Sequence, residues 1–182
     1  MSIDRIYREF FGFSLIIISL FIFVSLITFS AQDNVENLLS NSKNYVNNFG
    51  YLGALVSSTI FSYVGFAGYY FAVSCFYFGA ILFLSSSSKD FSERLNFLNS
   101  ILYSCISIFP LTLFFVSFIN SSNTELGLLD ISSGGLAGYN LLIILTTYTN
   151  TLVVGLLSVF TFLILQFFIF YDFLNLIYSF FK

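Results

Sequence analysis

An all-α integral membrane protein, with four transmembrane helices and two short helices on the outer side that lie in the interface or re-enter, is the fold this sequence predicts. Three observations predict it. Of the 182 residues, 58% are hydrophobic and 8% charged, a balance that a water-soluble domain of this size cannot hide in one core. Four runs free of charge, 10–29, 66–84, 97–119 and 152–171, each supply the roughly 20 apolar residues that cross about 30 Å of hydrocarbon. The few Lys and Arg residues then fall on one side if those four runs are the crossings.

The first run, 10–29, is too long for the apolar part of a signal peptide, and Ala31-Gln32-Asp33 is not a small-x-small cleavage site. It is read as a retained anchor. The linking segments 30–48, 85–96 and 120–133 carry the charged, Asn and Ser residues expected outside the hydrocarbon. Two uncharged stretches, 44–88 and 131–171, are longer than one crossing, so six spans have to be weighed against four. With four, Arg5, Arg8, Lys89, Arg94 and Lys182 share a side and only Lys43 opposes them. With six, Lys89 and Arg94 move outside, against the positive-inside rule. Four spans with both termini cytoplasmic is the consistent arrangement, and residues 1–182 form a single membrane domain.

The remaining apolar pieces, 51–64 and about 136–149, become short outer helices preceding the second and fourth spans. In the first, Leu52, Leu55, Val56, Ile60 and Val64 recur at three- and four-residue spacing while Ser57, Ser58 and Ser62 collect on another face. That pattern suits a helix lying in, or dipping into, the outer interface. Pro110 in the third span frees the carbonyl of Ile106 and predicts a kink, with Ser107 or a neighbouring helix satisfying the backbone.

Offsetting the chain by 85 residues sets Gly50-Tyr51-Leu52-Gly53 over Gly135-Leu136-Ala137-Gly138 and Tyr63 over Tyr148. The order of parts repeats as well: long span, polar loop, glycine step, short helix, second span. A duplicated two-span hairpin follows, its copies in the same orientation because each contains two crossings. Gly50, Gly53, Gly135 and Gly138 either let a helix start approach another backbone closely or mark the turn where a loop enters a helix; the turn is the simpler reading.

Composition excludes much chemistry. The chain has no His, and Cys75 and Cys105 lie in apolar runs without ligand spacing, so neither a metal site nor a disulfide is expected. The formal charge of −3 and the absence of Lys/Arg clusters argue against nucleic-acid contact. None of the four span cores carries a charge, against the usual signature of a pump or transporter. Gln166, the strong polar side chain within the fourth span, is read first as a hydrogen bond to a neighbouring helix and second as a gate or substrate contact. Asp172 marks the end of that span. Asp33, Glu36, Glu125 and Asp130 read as solvated loop charge, there being no base, nucleophile or second ligand type beside them. No phosphate-binding loop GxxxxGK[ST] occurs. No catalytic residue and no cofactor is expected, and the chain is not an enzyme on this reading.

The order of parts resembles the N-terminal four-span membrane domain of the FtsK/SpoIIIE family of bacterial DNA translocases. The residues that carry the resemblance are Leu26-Ile27-Thr28-Phe29-Ser30 with Asp33, Asn48-Phe49-Gly50-Tyr51-Leu52-Gly53-Ala54, Phe61 with Gly65-Phe66-Ala67-Gly68-Tyr69, and Gly134-Gly135-Leu136-Ala137-Gly138. It covers roughly 10–171. The resemblance implies a multi-pass anchor in the bacterial inner membrane, at the division septum, that associates with itself and with division-site proteins and tethers a DNA-pumping hexameric motor. The sequence stops at Lys182 with neither the long linker nor the ATPase. The expectation is therefore an anchor and protein-interaction domain without motor activity, a fragment, one half of a split gene, or a free-standing chain whose motor is encoded separately. The runner-up is a small four-span channel or transporter subunit, its polar path assembled from Ser, Thr, Tyr and Gln166 across several copies.

Overall fold

The structure is a computed structural model that describes residues 3–33, 45–84, 91–119 and 133–181. Lys43, Lys89 and Lys182, on which the orientation argument leans, and the acids Glu36, Glu125 and Asp130 lie outside the described residues, as do the side chains of Arg5, Arg94 and Asp172. The described residues are all helical apart from turns: α1 Ile3–Ile27, α2 Gly50–Val64, α3 Ala67–Leu84, α4 Phe91–Phe118, α5 Gly135–Thr146 and α6 Thr151–Phe181, with a single 3-10 turn at Ala31–Asp33. α1, α4 and α6 are each long and apolar enough to cross a bilayer, and α2 with α3 passes the same test as a pair bent by 114°, a broken span or a re-entrant loop. The chain is an all-α membrane protein.

Its helices are built inside out relative to a water-soluble fold. Large apolar side chains such as Phe10, Leu102, Leu156 and Phe167 face outward, while Ser19, Ser25, Ser57, Ser58, Ser107, Thr112 and Ser158 are buried. The cause is the solvent. Lipid tails are as apolar as leucine, so packing selects small residues that let backbones close up and hydroxyls that find a carbonyl. Accordingly, Ser25 Oγ donates to Phe21 O at 2.7 Å, Ser74 to Tyr70 O at 2.8 Å, and Ser158 to Gly155 O at 2.7 Å. Of the serine face expected to be the polar face of an interfacial α2, Ser57 and Ser58 obey the same rule, whereas the buried hydroxyl of Ser62 has no partner among the described residues. Gly53, Ala54, Ser57, Ser58 and Phe61 are the buried residues of α2, and Leu52 is 63% exposed.

α1 and α3 pack along most of their length, as do α4 and α6, and contact between the two pairs is sparser, running through α2 on α5 and α3 on α4. At the α1–α3 crossing a Cβ on Gly12 would sit 2.5 Å from Phe83 N and 2.8 Å from Gly79 O, so only glycine permits that approach. Ser19 Oγ donates to Ala72 O at 2.7 Å across the same crossing. Beyond the C-terminal end of α1, Phe61 of α2 is ringed by Phe29, Phe66 and Tyr69, with centroids 4.6, 5.9 and 5.9 Å away, and Phe66 reaches Phe115 of α4 at 5.7 Å.

The repeat is visible in the backbone. Phe49 (φ −94°, ψ 16°) precedes Gly50 (φ 60°), and its counterpart Gly134 (φ −107°, ψ 8°) precedes Gly135 (φ 64°). Gly53 N donates to Phe49 O and Gly138 N to Gly134 O. Each half is thus a long helix, a glycine-initiated short helix and a second long helix. α4 runs unbroken through Pro110, and Ser107 does not turn to the carbonyl of Ile106: its hydroxyl donates to Tyr103 O at 2.7 Å.

Candidate functional site

Three polar junctions stand out against the apolar packing. The first is a latch at the C-terminal end of α1. Helix α1 ends where Thr28 Oγ1 turns back to Val24 O at 2.9 Å, and the 3-10 turn closes through Asp33 N donating to Ser30 O at 2.9 Å. Asp33 is then 1% exposed, and its two carboxylate oxygens accept the backbone N–H groups of Val46 at 3.0 Å and Asn47 at 2.9 Å. Asn47, 4% exposed, uses its whole side chain: Nδ2 donates to Ser25 O of α1 at 2.8 Å and to Ser57 Oγ of α2 at 3.4 Å, and Oδ1 accepts from Phe49 N at 3.1 Å. This corrects the reading of Asp33 as solvated loop charge. A carboxylate that supplies two acceptors to the backbone donors of the segment entering α2 is structural, and such charge-assisted bonds are the strong ones.

The second junction is the seam between the two halves. Gly65 takes φ 58° and ψ −138°, a conformation open to glycine, where α2 turns into α3. A Cβ there would strike Ser133 O, and one on Gly135 would lie 2.5 Å from both Tyr63 C and Val64 N. The end of α2 and the start of α5 therefore meet backbone to backbone, and Phe66 N donates to Ser133 O at 2.8 Å across the seam. Ser133 Oγ in turn lies 2.7 Å from Phe115 O and 2.9 Å from Ile119 O, fastening the seam to α4.

The third junction joins α3, α4 and α6. Gln166 Nε2 donates to the Tyr70 hydroxyl at 2.8 Å and to Ser107 Oγ at 3.3 Å.

The five residues singled out from sequence play different parts. Gly50 has a positive φ and open space where a Cβ would sit, so it serves the turn alone; Gly53 makes room for the side chains of Asn47 and Phe49 in its own segment. Gly135 combines a positive φ with close approach to α2, and Gly138 sits on α4, where a Cβ would be 2.8 Å from Thr112 O and 2.9 Å from Val116 Cγ2. Gln166 bridges helices. Sequence reasoning missed Asp33 with Asn47, Gly65, Ser133 and the Gly12–Gly79 crossing. Among the described residues no group of three or more His, Cys, Asp or Glu could hold a metal ion, and Cys75 and Cys105 are free thiols. The junctions hold helices together, and the chemistry they offer is hydrogen bonding.

One known family matches: residues 4–178 fit the family described as the 4TM region of DNA translocase FtsK/SpoIIIE. No curated protein and no solved structure matches.

Two outcomes follow from the junctions. Asp33→Ala leaves the N–H of the buried Asn47 without its acceptor, at about 1–3 kcal/mol, so equilibrium unfolding in detergent shows a loss of that order, whereas the same change at the exposed Gln32 leaves stability within about 0.5 kcal/mol. Gly50→Ala incurs only the left-handed backbone cost of about 1–2 kcal/mol, and Gly135→Ala adds a backbone collision; the second variant unfolds at the lower denaturant concentration.

Proposed function

The chain belongs to the family of the 4TM region of the FtsK/SpoIIIE DNA translocases, and from that premise we propose that it is a membrane anchor and protein-interaction domain of the cell-division and chromosome-segregation type, without motor activity of its own. The observation that carries the reading is the extent of the match, residues 4–178 of 182, together with a fold whose interior is spent on joining helices. The match is to the family's membrane region and not to its ATPase motor.

The anchor sits in the bacterial inner membrane with both termini cytoplasmic, the side on which DNA and a motor would be. It associates with further copies of itself and with division-site proteins at the septum, and it tethers the family's motor. It makes no contact with DNA directly. The polar side chains support this over the reading as a channel or transporter subunit. A conduction path needs polar groups turned to a continuous lumen, whereas Ser19, Ser25, Ser74, Ser107 and Ser158 each bond a helix carbonyl.

A fluorescent protein fused after Lys182 and imaged in dividing cells tests the proposal. Enrichment at midcell is expected, and weakened enrichment when Gly135 and Gly138 are both made Val. Uniform membrane signal, or solute flux through vesicles holding the purified chain, contradicts it.

A further inference from the structure

The start of α5 lies well back from the end of the long helix it packs on. A Cβ on Gly138 would meet Thr112 O at 2.8 Å, and Ser133 Oγ lies 2.7 Å from Phe115 O, whereas α4 continues to Phe118. At the helical rise per residue, Phe118 stands about 9 Å further along α4 than Thr112. α6 begins beyond that level again. Gly155 lies against Ser117 and Phe118, and Thr151, the first residue of α6, is about 6 Å further out along its axis.

Hydrocarbon reaches those helix ends. Phe118 and Ile119 after α4, and Leu152 and Leu156 of α6, are exposed apolar side chains, and the stretches long and apolar enough to cross a bilayer run to Phe118 in α4 and from Thr151 in α6. A segment that begins at the level of Thr112 therefore begins inside the apolar layer. Non-helical backbone at such a depth is tolerated where protein buries it. Ser133, Gly134 and Gly135, which lead into α5, are all buried, and Ser133 O is taken by Phe66 N.

α5 itself has little to offer water. Before Thr146 its exposed residues are Leu136, Tyr139, Asn140, Ile143, Ile144 and Leu145, a surface with one amide and one phenol, whereas a helix lying in the interface carries a strongly polar face. The turn that follows is different. Thr147, Tyr148, Thr149 and Asn150 are all exposed, Tyr148 by 84%, and tyrosine with polar neighbours is the composition of a membrane–water boundary.

We propose that α5 is a re-entrant helix: the chain comes back into the bilayer as far as Ser133, turns at Gly134 and Gly135, and climbs out again as α5, with acyl chains packed against Leu136, Ile143 and Ile144. A helix lying flat would hold those three residues at headgroup level, and a second copy of the chain would cover them with protein. The inference does not rest on the anchor reading.

The chain contains no Trp, so a single introduced Trp reports its own depth through quenching by brominated lipids. The full chain carrying Leu136→Trp, Ile144→Trp or Tyr148→Trp is placed in phosphatidylcholine vesicles brominated either next to the headgroup or near the end of the acyl chain. Phe109→Trp, on α4 near the middle of its apolar stretch, sets the reading for mid-depth, and all four substituted side chains are exposed. Leu136→Trp is expected to lose more emission to bromine near the chain end than to bromine next to the headgroup, as Phe109→Trp does. Tyr148→Trp shows the reverse, and Ile144→Trp falls between. Leu136→Trp quenched in the pattern of Tyr148→Trp lays α5 flat in the interface and overturns the proposal. Leu136→Trp quenched by neither lipid is covered by protein, a second copy included, and overturns it as well.

Discussion

The carboxylate of Asp33, holding the N–H groups of Val46 and Asn47, is the interaction on which the junction of α1 with α2 depends. Without it the N–H of the buried Asn47 loses its acceptor, at about 1–3 kcal/mol. With it, Asn47 is placed so that one side chain ties the carbonyl of Ser25 on α1 to the hydroxyl of Ser57 on α2. Ser57 and Ser58 of α2 are buried, Val56 and Ile60 pack on the core while Leu52 faces outward, and Phe61 joins the aromatic cluster beneath. The end of α2 then arrives at Gly65, where the chain bends by 114° into α3 and meets the second half at Ser133 and Gly135.

The two halves solve the same problem by different means. Both begin the short helix with a glycine of positive φ at equivalent positions. In the first half the Asn47 side chain fills the space beside Gly53 and bonds α1; in the second, Gly138 lies directly on the backbone of α4 at Thr112. One copy uses a polar side chain as a spacer and the other uses close backbone contact, two of the ways in which helices associate where lipid supplies no hydrophobic drive. Each half is closely packed within itself, and the seam between them is narrow.

Much of this was legible in the sequence. The helices fall on the charge-free runs because hydrocarbon admits little else, and the start of α2 and of α5 was marked by Gly50 and Gly135. Gln166 stood out as an amide in a run of Leu and Phe. What was not legible has physical reasons. The apolar and serine faces of α2 were visible, but which one faces the protein depends on whether the solvent is water or lipid. Asp33 lies thirteen and fourteen residues from its partners Val46 and Asn47, across a polar segment with no periodicity to reveal the pairing. Gly65 looks like any glycine in an apolar run until the bend shows its φ. Gly12 and Gly79 are far apart in sequence, and neither belongs to a small-residue repeat that would predict their crossing.

Amide hydrogen exchange at Val46 and Asn47, measured by NMR on the chain in bicelles, tests the central claim most directly. Neither residue is in a helix, so a free loop would exchange both amides at the rate of an unstructured chain. The account predicts that both are protected as strongly as helical amides, and that Asp33→Asn, which puts a donor where an acceptor is needed, releases both together. Loop-like exchange in the unaltered chain, or protection that Asp33→Asn leaves unchanged, would contradict it.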